Sequence, residues 1–160
     1  MGAPELSTLL WKERNLLELL AFKLEEEQLI LTSGKTRWLQ HATREVEQVV
    51  EHLRTAGLGR SVEIRSLAAE WGASSETGLR ELVVRAPAGP WAEILQGHLQ
   101  AMLELTAQIR ELRDSNDRYL RAAARSTQET LAGLDGGSGT YDAQGGSGVE
   151  AGARLINQDL

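Results

Sequence analysis

The chain has 160 residues, enough for one core of ordinary size, and a domain of that length buries roughly 68–70% of the surface its unfolded chain exposes. It contains no Cys, which removes disulfide frames, thiolate zinc sites and cysteine nucleophiles and fits a reducing compartment. A net charge of −6 with no strongly basic stretch argues against nucleic acid as a partner, and no apolar run approaches the ~20 residues of a bilayer span. The N-terminus lacks a cationic leader, its first charge being Glu5, so a cytoplasmic location without membrane insertion is expected.

Leu6, Leu10, Glu13, Leu17, Leu20, Leu24, Glu27 and Leu31 follow alternating steps of four and three. That spacing keeps one side of a helix turned toward a partner and predicts a helix over 6–32. Leu9, Leu16 and Ile30 widen the stripe to the width of a bundle helix that meets two neighbours. Thr32, Ser33, Gly34 and Lys35 then interrupt the pattern, with Gly34 suited to a left-handed cap and Thr36 to capping the next helix.

A second helix over 36–69 repeats the spacing through Leu39, Ala42, Val46, Val49, Leu53, Ala56 and Arg60, and reaches Ile64 and Leu67 after one stutter. Gly57 and Gly59 weaken it, each by up to ~1 kcal/mol relative to Ala, so a kink or frayed end is expected near residue 58. Between Trp71 and Pro90 the pattern is irregular, with room for one short helix over 79–86 before Pro87, Ala88, Gly89 and Pro90.

Pro90 suits a first helical position. From it runs the longest stripe, Trp91, Leu95, His98, Met102, Leu105, Ile109, Leu112, Asn116, Tyr119 and Ala123, predicting a helix over 90–133. At 1.5 Å per residue that is ~65 Å against ~40 Å for the first helix, so its end should outrun the first. Eight of the sixteen Gly lie between Gly133 and Gly152, and residues 135–160 read as a flexible tail. The fold class expected is all-α: an elongated antiparallel three-helix bundle, coiled-coil in character, over 1–134.

Few side chains invite catalysis. His41 and His52 share a helical face but stand ~16 Å apart, too far for one metal ion with ~2 Å ligand bonds. His98 falls in the stripe of the third long helix, where a hydrogen-bonded core histidine is the simpler account, and no nucleophile stands at an adjacent turn. Glu25, Glu26 and Glu27 point some 100° apart on a helix, so two of the three should face water. Phosphate-loop, dinucleotide and zinc-protease motifs are missing. No catalytic residue, no metal site and no cofactor is expected, and the chain does not read as an enzyme.

Binding is the better prospect. Asn116 places an amide at a core position, which costs stability but can fix register or partner choice. Beyond it Tyr119, Leu120, Ala123, Thr127, Leu131 and Leu134 form an apolar stripe that intramolecular packing would leave free if the helix outruns its partners. Together with Asn116 these are the candidate client-binding residues.

Over nearly the whole chain the sequence resembles the FlgN family of flagellar type III export chaperones. The resemblance rests on LSTLLWKERNLLELLAFKLEEEQLIL, TRWLQHATREVEQVVEHLR, the LRELV and APAGPWAEIL crossover, IRELRDSNDRYL, and the terminal TYDAQG and ARLINQDL. None is a motif of invariant chemistry, so order and spacing carry it. It implies a chaperone whose C-terminal region holds the C-terminal amphipathic segment of the hook-filament junction proteins FlgK and FlgL. It also implies hand-over to the export gate protein FlhA, with Tyr141 of TYDAQG matching the family's docking tyrosine by position. The glycine content around that motif departs from the family pattern and leaves the order of the tail open. A coiled-coil adaptor without chaperone activity shares every periodic feature, and homodimerisation through the stripe would favour it. A small secreted helical hairpin of the W-x-G kind fails, because Trp71 and Gly72 are adjacent and a third long helix is present.

Overall fold

The computed structural model describes residues 2–137, and all of its regular structure there is helical: α1 Ala3–Ser33, a 3-10 turn Thr36–Trp38, α2 Leu39–Glu70, α3 Leu79–Arg85 and α4 Pro90–Gly137. The chain divides into two units, Met1–Tyr119 and Leu120–Leu160. Among the described residues no helix is long and apolar enough to cross a membrane.

The first unit is built as its heptad-like spacing dictates. On α1 the buried side chains are Ala3, Leu6, Leu10, Glu13, Leu20, Ala21, Leu24 and Glu27. Side-chain partners fix the directions of its neighbours. Glu13 pairs with Arg60 at 2.9 Å, and Lys23 pairs with Glu45 at 2.8 Å, so α2 runs antiparallel to α1. Ser7 meets His98 at 3.0 Å and the Leu24 carbonyl meets Asn116 at 2.9 Å, so α4 up to Tyr119 runs parallel to α1. The result is an up-down-up bundle with α3 as a crossover.

Two apolar clusters hold it. One gathers Leu6 and Leu10 of α1, Ile64, Leu67 and Ala68 of α2, Leu82 and Val83 of α3, and Leu95 and Met102 of α4. The other gathers Leu20, Ala21 and Leu24 with Val49 and Ile109. Each fully buried leucine contributes about 1.5–3 kcal/mol of transfer free energy.

The ends of the helices show which local signals held. Gly34 takes φ 72, the left-handed conformation that ends α1. Thr36 does not cap α2: it opens the 3-10 turn, no side chain caps either element, and the backbone N–H of Trp38 donates to the Lys35 carbonyl at 3.1 Å. The tight turn satisfies the early amides through the backbone and leaves the hydroxyl without that task. α2 runs without a break through Gly57 and Gly59 to Glu70. The penalty of two glycines is offset by the burial of Ile64, Leu67 and Ala68 beyond them. Its end is a Schellman motif that the residue pattern did not single out: Gly72 takes φ 69, the Ala73 N–H donates to the Ala68 carbonyl at 2.8 Å, and that of Gly72 to Ala69 at 3.4 Å.

Candidate functional site

Asn116 is 2% exposed. Its amide donates to the Leu24 carbonyl at 2.9 Å and to Glu27 Oε1 at 3.1 Å, while Glu27 Oε2 accepts from the Thr43 hydroxyl at 3.1 Å. Three helices therefore meet at one buried carboxylate. Such a junction tolerates a single axial alignment, because a shift by one turn would strand the Glu27 charge. Asn116 Oδ1 is buried there without a donor. The side chain is thus committed to α1 within the first unit, and through Glu27 it is linked to Thr43 of α2.

A second polar junction lies nearer the N-terminus of α1. Arg14 donates to His98 Nδ1 at 3.4 Å, which makes that nitrogen the acceptor and places the ring proton on Nε2, where it donates to Ser7 Oγ at 3.0 Å. Trp11 meets the imidazole edge-on at 5.1 Å and carries the Arg14 guanidinium 4.2 Å above its ring. Burial, aided by the Arg14 charge, holds the His98 pKa below its ordinary value. Every partner of His98 is 84 or more positions away in the chain, so its position in the stripe was legible and its company was not.

A stability profile follows from these shifts. A histidine whose folded pKa is depressed contributes stability present above the unfolded value of ~6.5 and lost as pH falls through it toward the folded pKa. The thermal midpoint should therefore fall as pH is lowered from about 7.5 to about 5.5, and His98→Gln should flatten the profile. Glu13 acts in the opposite sense. Burial pushes its carboxyl up against the pull of Arg60, so its contribution rises as pH falls toward 4.5. The difference between wild type and His98→Gln isolates the histidine.

Tyr119 closes the first unit, half-exposed. In the second unit, the described residues 120–137 form the last turns of α4 and all are exposed. Leu120, Leu131 and Leu134 are 36%, 57% and 67% exposed, so large apolar side chains stand in water. The Thr127 hydroxyl donates to the Ala123 carbonyl at 3.0 Å, which satisfies it within the helix and leaves its methyl group to the surface. Leu120, Ala123, Thr127, Leu131 and Leu134 recur at three- and four-residue steps, the spacing of one helical face. Tyr141 lies outside the described residues. Among those residues no group of three or more His, Cys, Asp or Glu is placed to hold a metal ion.

The first unit is a helical bundle, and the end of α4 in the second carries an apolar helix face exposed to water. The family model described as FlgN protein matches residues 1–147, and the chain belongs to that family. Its members are flagellar export chaperones, a chaperone family and not an enzyme family. No curated protein and no solved structure matches the chain significantly.

Proposed function

We propose that this chain is a cytoplasmic export chaperone for the hook-filament junction proteins FlgK and FlgL, holding their C-terminal amphipathic segment before delivery to the export gate protein FlhA. The observation that carries the reading is the exposed stripe of Leu120, Ala123, Thr127, Leu131 and Leu134 in a member of the FlgN family. An amphipathic client helix laid along it would present apolar anchors at matching intervals. About four such anchors give ~1.5–3 kcal/mol gross each, much of which is lost in ordering both partners. A net affinity in the micromolar range, about −8 kcal/mol, suits a chaperone that must release its client. Tyr119 flanks the stripe, and Asn116 serves it indirectly by fixing the register of the helix that carries it.

Holding and delivery separate by mutation. Calorimetric titration with a peptide of the client C-terminus should give at least tenfold weaker binding for Leu120→Asp. Tyr141→Ala should keep client affinity and melting temperature but weaken capture by the cytoplasmic domain of the gate protein roughly thirtyfold, about 2 kcal/mol. Equal loss in both reactions would place Tyr141 in the client groove. Unchanged binding in both would remove it from the mechanism.

A further inference from the structure

At the end of the bundle where α1 begins and α2 ends, a cleft of about 300 Å³ opens between the helix ends and the crossover. Trp71 and Trp91 line it together with Pro4, Pro87 and Pro90, and Leu67 contributes apolar wall. These are all three prolines of the chain. Their fixed φ angles, with the half-buried indoles packed against the core cluster, make the walls rigid before any ligand arrives.

Two features of the cleft are unsatisfied. Neither the Trp71 nor the Trp91 indole N–H has a hydrogen-bond partner, and both remain open to solvent. Glu70 lies on the same cleft, exposed and without an ion pair, and among the described residues no lysine or arginine lines the wall. The site thus has flat aromatic walls and a carboxylate, and the two tryptophans that form it carry unengaged indole donors.

We propose that this cleft binds an extended, proline-containing peptide segment that carries an arginine or lysine beside its proline. A polyproline II segment has carbonyls that no internal bond occupies, which complements indole donors, and proline rings dock in aromatic-lined grooves. The cation of the segment meets Glu70 and supplies orientation. The site belongs wholly to the first unit, and the inference does not depend on where the junction-protein client is held.

The test uses the full chain with 15N-labelled indoles, one on each of the four tryptophans. Acetyl-Ala-Pro-Pro-Arg-Pro-Ala-amide should shift the Trp71 and Trp91 resonances saturably and leave Trp11 and Trp38 in place. Acetyl-Ala-Pro-Pro-Glu-Pro-Ala-amide should bind at least tenfold more weakly to the wild type. Glu70→Lys, at an exposed helix end where a cation suits the helix dipole, should lose at least tenfold in affinity with helicity unchanged. Equal shifts at all four indoles, no shift at millimolar peptide, or equal affinity for the glutamate peptide would each overturn the proposal. So would shifts of Trp71 and Trp91 on concentrating the chain alone, which would assign the cleft to a second copy.

Discussion

Asn116→Leu should destabilise the first unit by about 3 kcal/mol, read as a lower urea midpoint at unchanged slope. The leucine fits the volume of the site and its helical propensity is better, so loss of packing is not the cause. The cause is Glu27. The residue is 6% exposed, and its two side-chain donors are Asn116 and Thr43. Taking one away leaves a buried carboxylate with half its hydrogen bonding, and the Leu24 carbonyl loses a donor as well. Relief of the orphaned Asn116 Oδ1 offsets part of the loss. Adding Glu27→Met to Asn116→Leu should recover most of the stability, because exchanging a whole buried polar group for apolar volume is close to neutral. A double variant no more stable than the single one would show that the carboxylate is not the source of the penalty.

The larger functional effect is expected from Leu131→Asp combined with Leu134→Asp. Both positions are exposed in the free chain, so the substitutions remove no core contact and melting temperature should hold. In the complex each would replace a buried anchor by a charge that must be desolvated. Loss of two anchors at ~1.5–2 kcal/mol each amounts to a fall in client affinity of more than a hundredfold. Calorimetry on the free and variant chains with one client peptide measures it, and circular dichroism checks that helix content is retained.

Much of this architecture could be read from spacing. The four-three pattern placed Glu13 and Glu27 on the packed side of α1 among leucines, and both carboxylates are buried there. It placed His98 and Asn116 on the packed side of α4, where they are the two most buried polar residues among those described. Periodicity reports which face a residue occupies. It is silent on what stands opposite, so Arg60 as the partner of Glu13 and Glu27 as the partner of Asn116 came only from the fold. Local chemistry misled at Thr36, a good capping residue by type, because a 3-10 turn supplied backbone acceptors first. It also overweighted Gly57 and Gly59, since helix propensity is small beside the burial that α2 gains beyond them. Trp71 and Trp91 look like ordinary core residues in sequence, twenty positions apart across an irregular crossover. Only its folding brings them to one cleft.

Hydrogen exchange measured with and without a junction-protein C-terminal peptide tests most directly whether the client is held along the end of α4. Amides of residues 120–134 exchange from a fully exposed helix in the free chain and should gain protection of at least tenfold at saturating peptide, while α2 over 39–70 stays unchanged. Protection that appears elsewhere in the first unit, with residues 120–134 unaltered, would contradict the account.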